Sequence, residues 1–354
     1  MKPDFWSGKR VFLTGHTGFK GGWLSLWLQS MGAEVHGYSL SPPTKTNFFS
    51  VAEVGKGMKS SVIADIRDAD RLRFAMQAVQ PEIVFHLAAQ PLVRYSYVQP
   101  VETYAVNVMG TVHLLEAVRA TPGVKAVVNV TTDKCYENRE WVWGYRENES
   151  MGGFDPYSSS KGCAELVTSA YRRSFLESAG IALASARAGN VIGGGDWAAD
   201  RLIPDFLRAM DAGKTLEIRS PQSTRPWQHV LEPLSGYLLL GEKLYVEGTL
   251  FAEGWNFGPA DDDAQPVRWI VERLAEMRKD VKWQFNEMPQ PHEANYLKLD
   301  SSKAHTQLAW HPQWRLLTAL KKTLEWHEAW RSAKNMKLVT MEQIADYQST
   351  KRNE

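Results

Sequence analysis

Apolar residues alternate along the first half of the chain between short strand-like runs and stretches with helical spacing. "RVFLTG" (10–15) is an apolar run of strand length, and "GGWLSLWLQSM" (21–31) reads as a helix closed at Gly32. "AEVHGYSL" and "SVIAD" give a second and third strand, separated by a loop carrying Pro42 and Pro43. "RLRFAMQAVQ" reads as a helix and "PEIVFHLAA" as a strand. Helical spacing then runs from Thr103 to Arg119, "AVVNVTT" follows as a strand, and Tyr157 to Leu176 forms a long helix before "IALASARAGNV". Such alternation predicts an α/β chain with a doubly wound parallel sheet, helices on both faces. Beyond about Gly193 the alternation becomes irregular and tryptophans are frequent, which predicts a smaller, mixed α/β C-terminal lobe for substrate. The expected first domain is 1–190, with 228–256 returning to it through "RPWQHVLEPLSGYLLL". The second is 191–227 and 257–335, and the polar stretch 336–354 is expected to be a peripheral tail.

In a parallel sheet, ligands bind beyond the carboxyl ends of strands. "TGHTGFKG" lies at the first such end and supplies Gly15, Gly18 and Gly21, with Thr17 and Phe19 between them. Glycines there permit a tight turn, let backbone amides approach a pyrophosphate and bring helix close to strand, which predicts a Rossmann-like dinucleotide site. Spacing alone is weak in a chain with 26 glycines; the strand before and the helix after give it weight. The usual acid after the second strand is absent, Tyr38 and Ser39 standing there instead, so NAD and NADP are not separated by this segment. Asp65 and Ile66, after the third strand, are candidate adenine neighbours, although Asp65 fits a helix cap equally well.

The run "VVNVTTDKCYEN" ends a strand on Thr131 and Thr132 and then sets Asp133 beside Lys134. Adjacent opposite charges usually mark a solvated turn, but this pair is delivered to the functional edge of the sheet. "YSSSK" places Tyr157 and Lys161 four apart, on one face of a helix. An ammonium beside a phenol favours phenolate and so makes a general base. "YQSTK" (Tyr347 to Lys351) has the same spacing in the polar tail without an upstream strand-end acid, so spacing by itself is poor proof. Position separates the first copy, and it makes Thr132, Tyr157 and Lys161 one catalytic set.

Together these motifs resemble the short-chain dehydrogenase/reductase superfamily, in its extended, nucleotide-sugar-modifying branch. The likeness runs through "VFLTGHTGFKG", "HLAAQPLVRYSY", "NVMGT", "TTDK", "YSSSK", "RAGNVIGGGDW", "STRPWQHV" and "YLKLD". Within that branch "TTDKCYEN", "RAGNVIGGGDWAADRLIPD" and "RPWQHV" are most similar to CDP-glucose 4,6-dehydratases. The resemblance implies a tightly bound NAD regenerated in each turnover, held by the glycine loop, by Leu87, Ala88 and Ala89, and by Thr131, Tyr157 and Lys161. It places Asn107 on the helix beneath the site. Asn190 and Arg225 become contacts to the substrate diphosphate, and Gln90, Arg94 and His229 further substrate neighbours. Its chemistry is oxidation at C4 of the hexose with Tyr157 as base, loss of water across C5 and C6, and return of the hydride to C6. Asp133 would be the general acid. Lys134 stands where the dTDP-glucose relatives carry glutamate, and as a C5 base it must be partly neutral, which requires desolvation or a cationic neighbour. A 4-epimerase would use the same threonine, tyrosine and lysine without the Asp–Lys pair. A non-catalytic dinucleotide sensor would need none of them.

Composition adds exclusions. With 44% hydrophobic residues, 23% charged and a formal net charge of +1, nothing points to a nucleic-acid or membrane partner. "MKPDFWSGKR" has no apolar signal core and no apolar run is long enough to cross a bilayer, so a cytoplasmic location is expected. Cys135 and Cys163 form no disulfide framework, and no cluster has metal-ligand spacing, so no metal is expected. The branch implies a homodimer or homotetramer through a pair of helices across a two-fold axis.

Overall fold

The structure, a computed structural model, describes residues 3–278, 281–285 and 294–350. Seven strands make the main sheet: β1 (Arg10–Thr14), β2 (Glu34–Ser39), β3 (Ser60–Ile63), β4 (Ile83–His86), β5 (Ala126–Val130), β6 (Ala182–Ala188) and, after three strands of smaller sheets, Gly254–Phe257. Their order is 3-2-1-4-5-6 followed by Gly254–Phe257, and every pairing is parallel. β4, β5 and β6 are buried along their whole length, as strands covered by helices on both faces must be. This is the doubly wound sheet that the alternation predicts. The direction of winding reverses between β1 and β4, which opens a crevice at their carboxyl ends.

Beyond β6 come β7 (Asn190–Ile192), β8 (Leu216–Ile218) and β9 (Thr224–His229); Gly254–Phe257 is β10, followed by β11 (Ala264–Pro266) and β12 (Trp283–Phe285). β9 lies between β7, parallel to it, and β11, antiparallel, while β8 pairs with β12. The helix Leu231–Glu247 returns the chain to the main sheet, where β10 pairs with β6.

The helix Pro156–Tyr171 starts where its sequence dictates. Asp155 accepts from the Ser158 amide at 3.0 Å and Pro156 occupies the first turn, a cap of about 1 kcal/mol. It thereby aims Tyr157 and Lys161 at the end of β5. The segment expected to run as one helix from Thr103 is divided: Pro100–Tyr104 and Gly110–Arg119 flank a wider π turn at Ala105–Met109.

The described part of the tail packs into the core and does not lie at the periphery. Helix Met336–Ser349 carries Met336, Ile344 and Tyr347 into the core, and the Tyr347 ring meets Trp27 and Trp314 edge-on at 5.7 and 5.2 Å. Its hydroxyl donates to Glu232 at 2.6 Å. The polar majority of that segment faces outward and hides this apolar stripe in the sequence. Lys351 of "YQSTK" lies outside the described residues.

Candidate active site

One cavity of about 730 Å³ runs from the β1–β4 crevice to the small sheets. At its floor Gly15 has φ +77°, and a Cβ there would stand 2.8 Å from the Leu87–Ala88 backbone. Gly18 begins the helix Phe19–Ser30 without a side-chain cap, leaving the first N–H groups to face the cavity. A Cβ on Gly18 would meet only the Gly15 carbonyl, at 3.3 Å, so its open side is cavity space. An uncapped helix N-terminus behind a bare glycine loop fits a dinucleotide pyrophosphate. Gly21 instead closes helix onto loop, since a Cβ there would overlap the Gly15 carbonyl. Thr17 bonds Ser39 at 2.7 Å and the Leu40 carbonyl at 2.8 Å, tying the loop to the end of β2. Phe19, Ile66, Leu87, Ala88 and Ala89 line the same floor. Asp65 lines it too, but its carboxylate is engaged by Arg67, which holds it below its ordinary range.

β5 delivers Thr131, Thr132, Asp133 and Lys134 to the middle of the cavity, opposite Tyr157 and Lys161. Thr132 donates to Asp133 Oδ1 at 2.9 Å, and Oδ2 is buried with no protein partner among the described residues. Burial raises the Asp133 carboxyl above its ordinary value, against the pull of Lys134, the Thr132 bond, Arg225 and Lys20. Burial pushes the Tyr157 phenol up to about 12, against a hydrogen bond with Thr132 and the charge of Arg201. It brings Lys161 down to about 8, with Glu165 opposing. Lys134 is half-buried at the cavity wall. The strand end thus carries a carboxyl whose neutral form burial favours, beside a lysine, with a phenol and a second lysine facing them.

The far wall holds Asn190, at the start of β7, and Arg225, buried on β9. Arg94 reaches the rim and pairs with Asp200 at 3.4 Å. Among the described residues no group of three or more His, Cys, Asp or Glu is placed to hold a metal ion.

The chain as a whole has known relatives. The match to the family described as GDP-mannose 4,6 dehydratase spans residues 12–323. The chain belongs to that family. A CDP-glucose 4,6-dehydratase of Salmonella typhimurium is 58% identical over 99% of this chain and 99% of its own. A UDP-glucose 4-epimerase of Mycolicibacterium smegmatis is 28% identical over 89% of this chain and 97% of its own. Among solved structures, a dTDP-glucose 4,6-dehydratase of Streptomyces venezuelae with NAD and TYD bound shares the fold. It has a TM-score of 0.78 and 24% identity, over 93% of this chain and 99% of that one.

Two residues that the 4,6-dehydratase pattern suggests for substrate lie elsewhere. The Gln90 side chain turns away to Thr103 at 2.9 Å and to the Leu92 backbone, and it does not line the cavity. His229 shares a face of β9 with Arg225 and Trp227, but the strand has by then passed the cavity's end. Its ring lies between Trp314 and Trp23, at 4.9 and 5.9 Å, and burial drives it down to about 3, so it is a neutral core residue. His86 is likewise internal, bonded to Thr14 at 2.7 Å. Two cations of the dehydratase cavity escaped the sequence reading. Lys20 lines the floor, brought down to about 7 by burial and then by Arg201. Arg201 is paired with Asp196 at 2.8 Å. Both lie inside motifs, "GFKG" and "WAADRLIPD", in which spacing marks the glycines but not the basic residues.

Proposed function

We propose that the protein is an NAD-dependent CDP-glucose 4,6-dehydratase, converting CDP-D-glucose to CDP-4-keto-6-deoxy-D-glucose and water. The observation that carries this reading is Asp133: a buried carboxyl at a strand end, with Oδ2 unpartnered among the described residues, in the cavity that Thr132 and Tyr157 also line. Oxidation alone has no use for it, and elimination of a hydroxyl does. The full-length likeness to the Salmonella enzyme supports cytidine as the base.

NAD, when bound over the glycine loop, supplies the two-electron acceptor for C4 and the donor for C6. The protein's own groups do the proton work. Tyr157 takes the proton of the sugar 4-hydroxyl while Thr132 holds the same oxygen, and Lys161 lends positive charge to the phenolate. The 4-ketone makes the C5 proton acidic. Lys134 removes it, Asp133 gives its proton to the C6 hydroxyl, which leaves as water, and Lys134 returns a proton to C5 as C6 is reduced. Asn190, Arg94 and Arg225 hold the diphosphate, guanidinium groups suiting that geometry. Residues 1–190 with 228–256 serve the dinucleotide, and 191–227 with 257–335 the nucleotide-sugar.

The enzyme works in the cytoplasm, because substrate and cofactor are charged phosphate esters that do not cross membranes. It assembles as a homodimer or homotetramer. The exposed Val101, Met109 and Leu166, on neighbouring helices, supply an apolar face for the contact.

The test is incubation with NAD and, separately, CDP-glucose, UDP-glucose, dTDP-glucose and GDP-mannose, with product analysis by NMR. The reading expects a 4-keto-6-deoxy sugar, formed fastest from CDP-glucose. An epimerised hexose, or faster turnover of another nucleotide, contradicts it.

A further inference from the structure

Behind the end of β5 lies a buried ion pair that the mechanism above does not use. Glu165 stands one turn beyond Lys161 on the helix Pro156–Tyr171, so the two share a face. Arg187 on β6 clamps its carboxylate from Nε at 2.9 Å and Nη2 at 2.8 Å. Ser185 donates to it at 2.6 Å, and the Thr131 hydroxyl donates to its other oxygen. Arg187 also bonds the Tyr136 hydroxyl at 2.7 Å, and Tyr136 bonds Asn256 at 2.8 Å. One carboxylate therefore connects β6 to both flanks of Thr132–Asp133–Lys134, directly through Thr131 and by way of Arg187 through Tyr136.

Stability gives little reason for charges here. A well-packed apolar pair commonly serves as well as a buried ion pair or better. We propose that Glu165 is a positioning residue for the reaction: its carboxylate supplies the negative charge that faces the Lys161 ammonium and fixes the strand end carrying Thr132, Asp133 and Lys134.

Among the described residues Glu165 is the carboxylate that opposes the loss of charge at Lys161, the Asp133 carboxyl across the cavity being pushed toward its neutral form by burial. Facing Lys161 are the Cys135 thiol, driven far up by burial and so neutral, and His86, driven down to about 3 and so neutral. Lys20, across the floor and brought down to about 7 by burial, opposes the ammonium with whatever charge it carries. Tyr157, one turn earlier, is a phenol until it has given up its proton. Burial already brings Lys161 down to about 8 and Glu165 is the group that opposes it most, so without that charge the lysine would give up its proton at lower pH still. Tyr157 would then keep the charge of Arg201 but lose that of Lys161, four residues along its own helix.

The inference rests on the dehydratase reading for its consequence but not for its first measurement. In the cofactor-free protein carrying 13Cε-labelled lysine, the Lys161 signal, assigned by its loss in Lys161→Arg, is titrated by NMR. In Glu165→Gln it is expected to titrate about one pH unit lower or more, a tenfold change in its protonation equilibrium. The double variant Glu165→Gln/Arg187→Met, which leaves no stranded charge, should shift it likewise and decides the matter if the single variant does not fold. Ser185→Ala removes one bond to the same carboxylate but keeps its charge, and should leave the titration in place. With CDP-glucose and NAD, the rising limb of kcat against pH should move upward in the Glu165 variants, with KM unchanged. A wild-type Lys161 titration in either folded variant, or an equal shift in Ser185→Ala, overturns the proposal. Absence of any sugar turnover by the wild type would instead contradict the dehydratase reading and leave the NMR result standing by itself.

Discussion

Tyr157 and Tyr347 begin identical Tyr-x-x-x-Lys spacings and are both buried, yet their surroundings differ in kind. Tyr157 lines a cavity together with Thr132 and stands across from a strand-end carboxyl. Tyr347 stands between two tryptophans, bonding Glu232 and Ser235, and lines no part of that cavity. Spacing on a helix fixes which residues share a face. What that face meets decides whether a phenol is a base or a latch, and that depends on β5 in one case and on the helix Leu231–Glu247 in the other.

The largest contrast should come from removing each hydroxyl. Tyr157→Phe is expected to lower kcat by roughly a thousandfold, within the span usual for a lost general base, with an unchanged melting temperature. Equal losses of activity in Tyr157→Phe and Tyr347→Phe would erase the distinction.

The cavity itself can be closed while leaving Tyr157 intact. Gly18 has φ −80° and ψ 170°, a conformation valine accepts, and a Cβ there contacts only one carbonyl. Gly18→Val should therefore fold, yet weaken NAD binding by about a hundredfold or more, some 2.8 kcal/mol, as read by calorimetry. Unchanged affinity would remove the loop from the cofactor site.

The smallest effect belongs to the tail. Glu232 accepts from the Gln313 and Trp314 amides at 2.9 and 2.7 Å as well as from Tyr347, and burial still pushes it up to about 7. A carboxyl raised on folding lends stability that is full below its unfolded pKa of about 4.3 and is lost as pH rises through the folded value. Tyr347→Phe removes a donor that favours the ionised form. It should cost about 1–3 kcal/mol, more above pH 7 than below it, with kcat unchanged. Denaturant unfolding at several pH values measures this, and a pH-independent loss would take Glu232 out of the account.

The legible part of the molecule was that governed by short-range pattern. Buried parallel strands advertise themselves as apolar runs, and a glycine loop between strand and helix marks its own position, so the sheet and Gly15, Gly18, Thr132 and Tyr157 could be placed from the chain alone. Lys20, Arg201 and the Glu165–Arg187 pair could not, because their meaning lies in a cavity or in partners assembled from elements distant in sequence. Arg187 lies 22 residues from the carboxylate it clamps. His229 was misjudged for a related reason: alternation along β9 gives its face, but not where the cavity stops. The tail misled through composition, since a few buried side chains suffice to dock a mostly polar helix.

The central claim is that the strand end performs elimination while Tyr157 performs oxidation, and one measurement divides them. Single-turnover absorbance of the reduced nicotinamide is followed together with deuterium uptake at C5 of the sugar in Lys134→Met, which keeps the apolar stem but cannot accept a proton. The account expects the reduced-nicotinamide signal to appear, C5 exchange to be slow or absent, and little 4-keto-6-deoxy product to form. Asp133→Asn, run alongside, should block water loss while leaving C5 exchange measurable. Undiminished C5 exchange in Lys134→Met would contradict the assignment of Lys134 as the base, and complete loss of the reduced-nicotinamide signal would make it a group that positions substrate or cofactor.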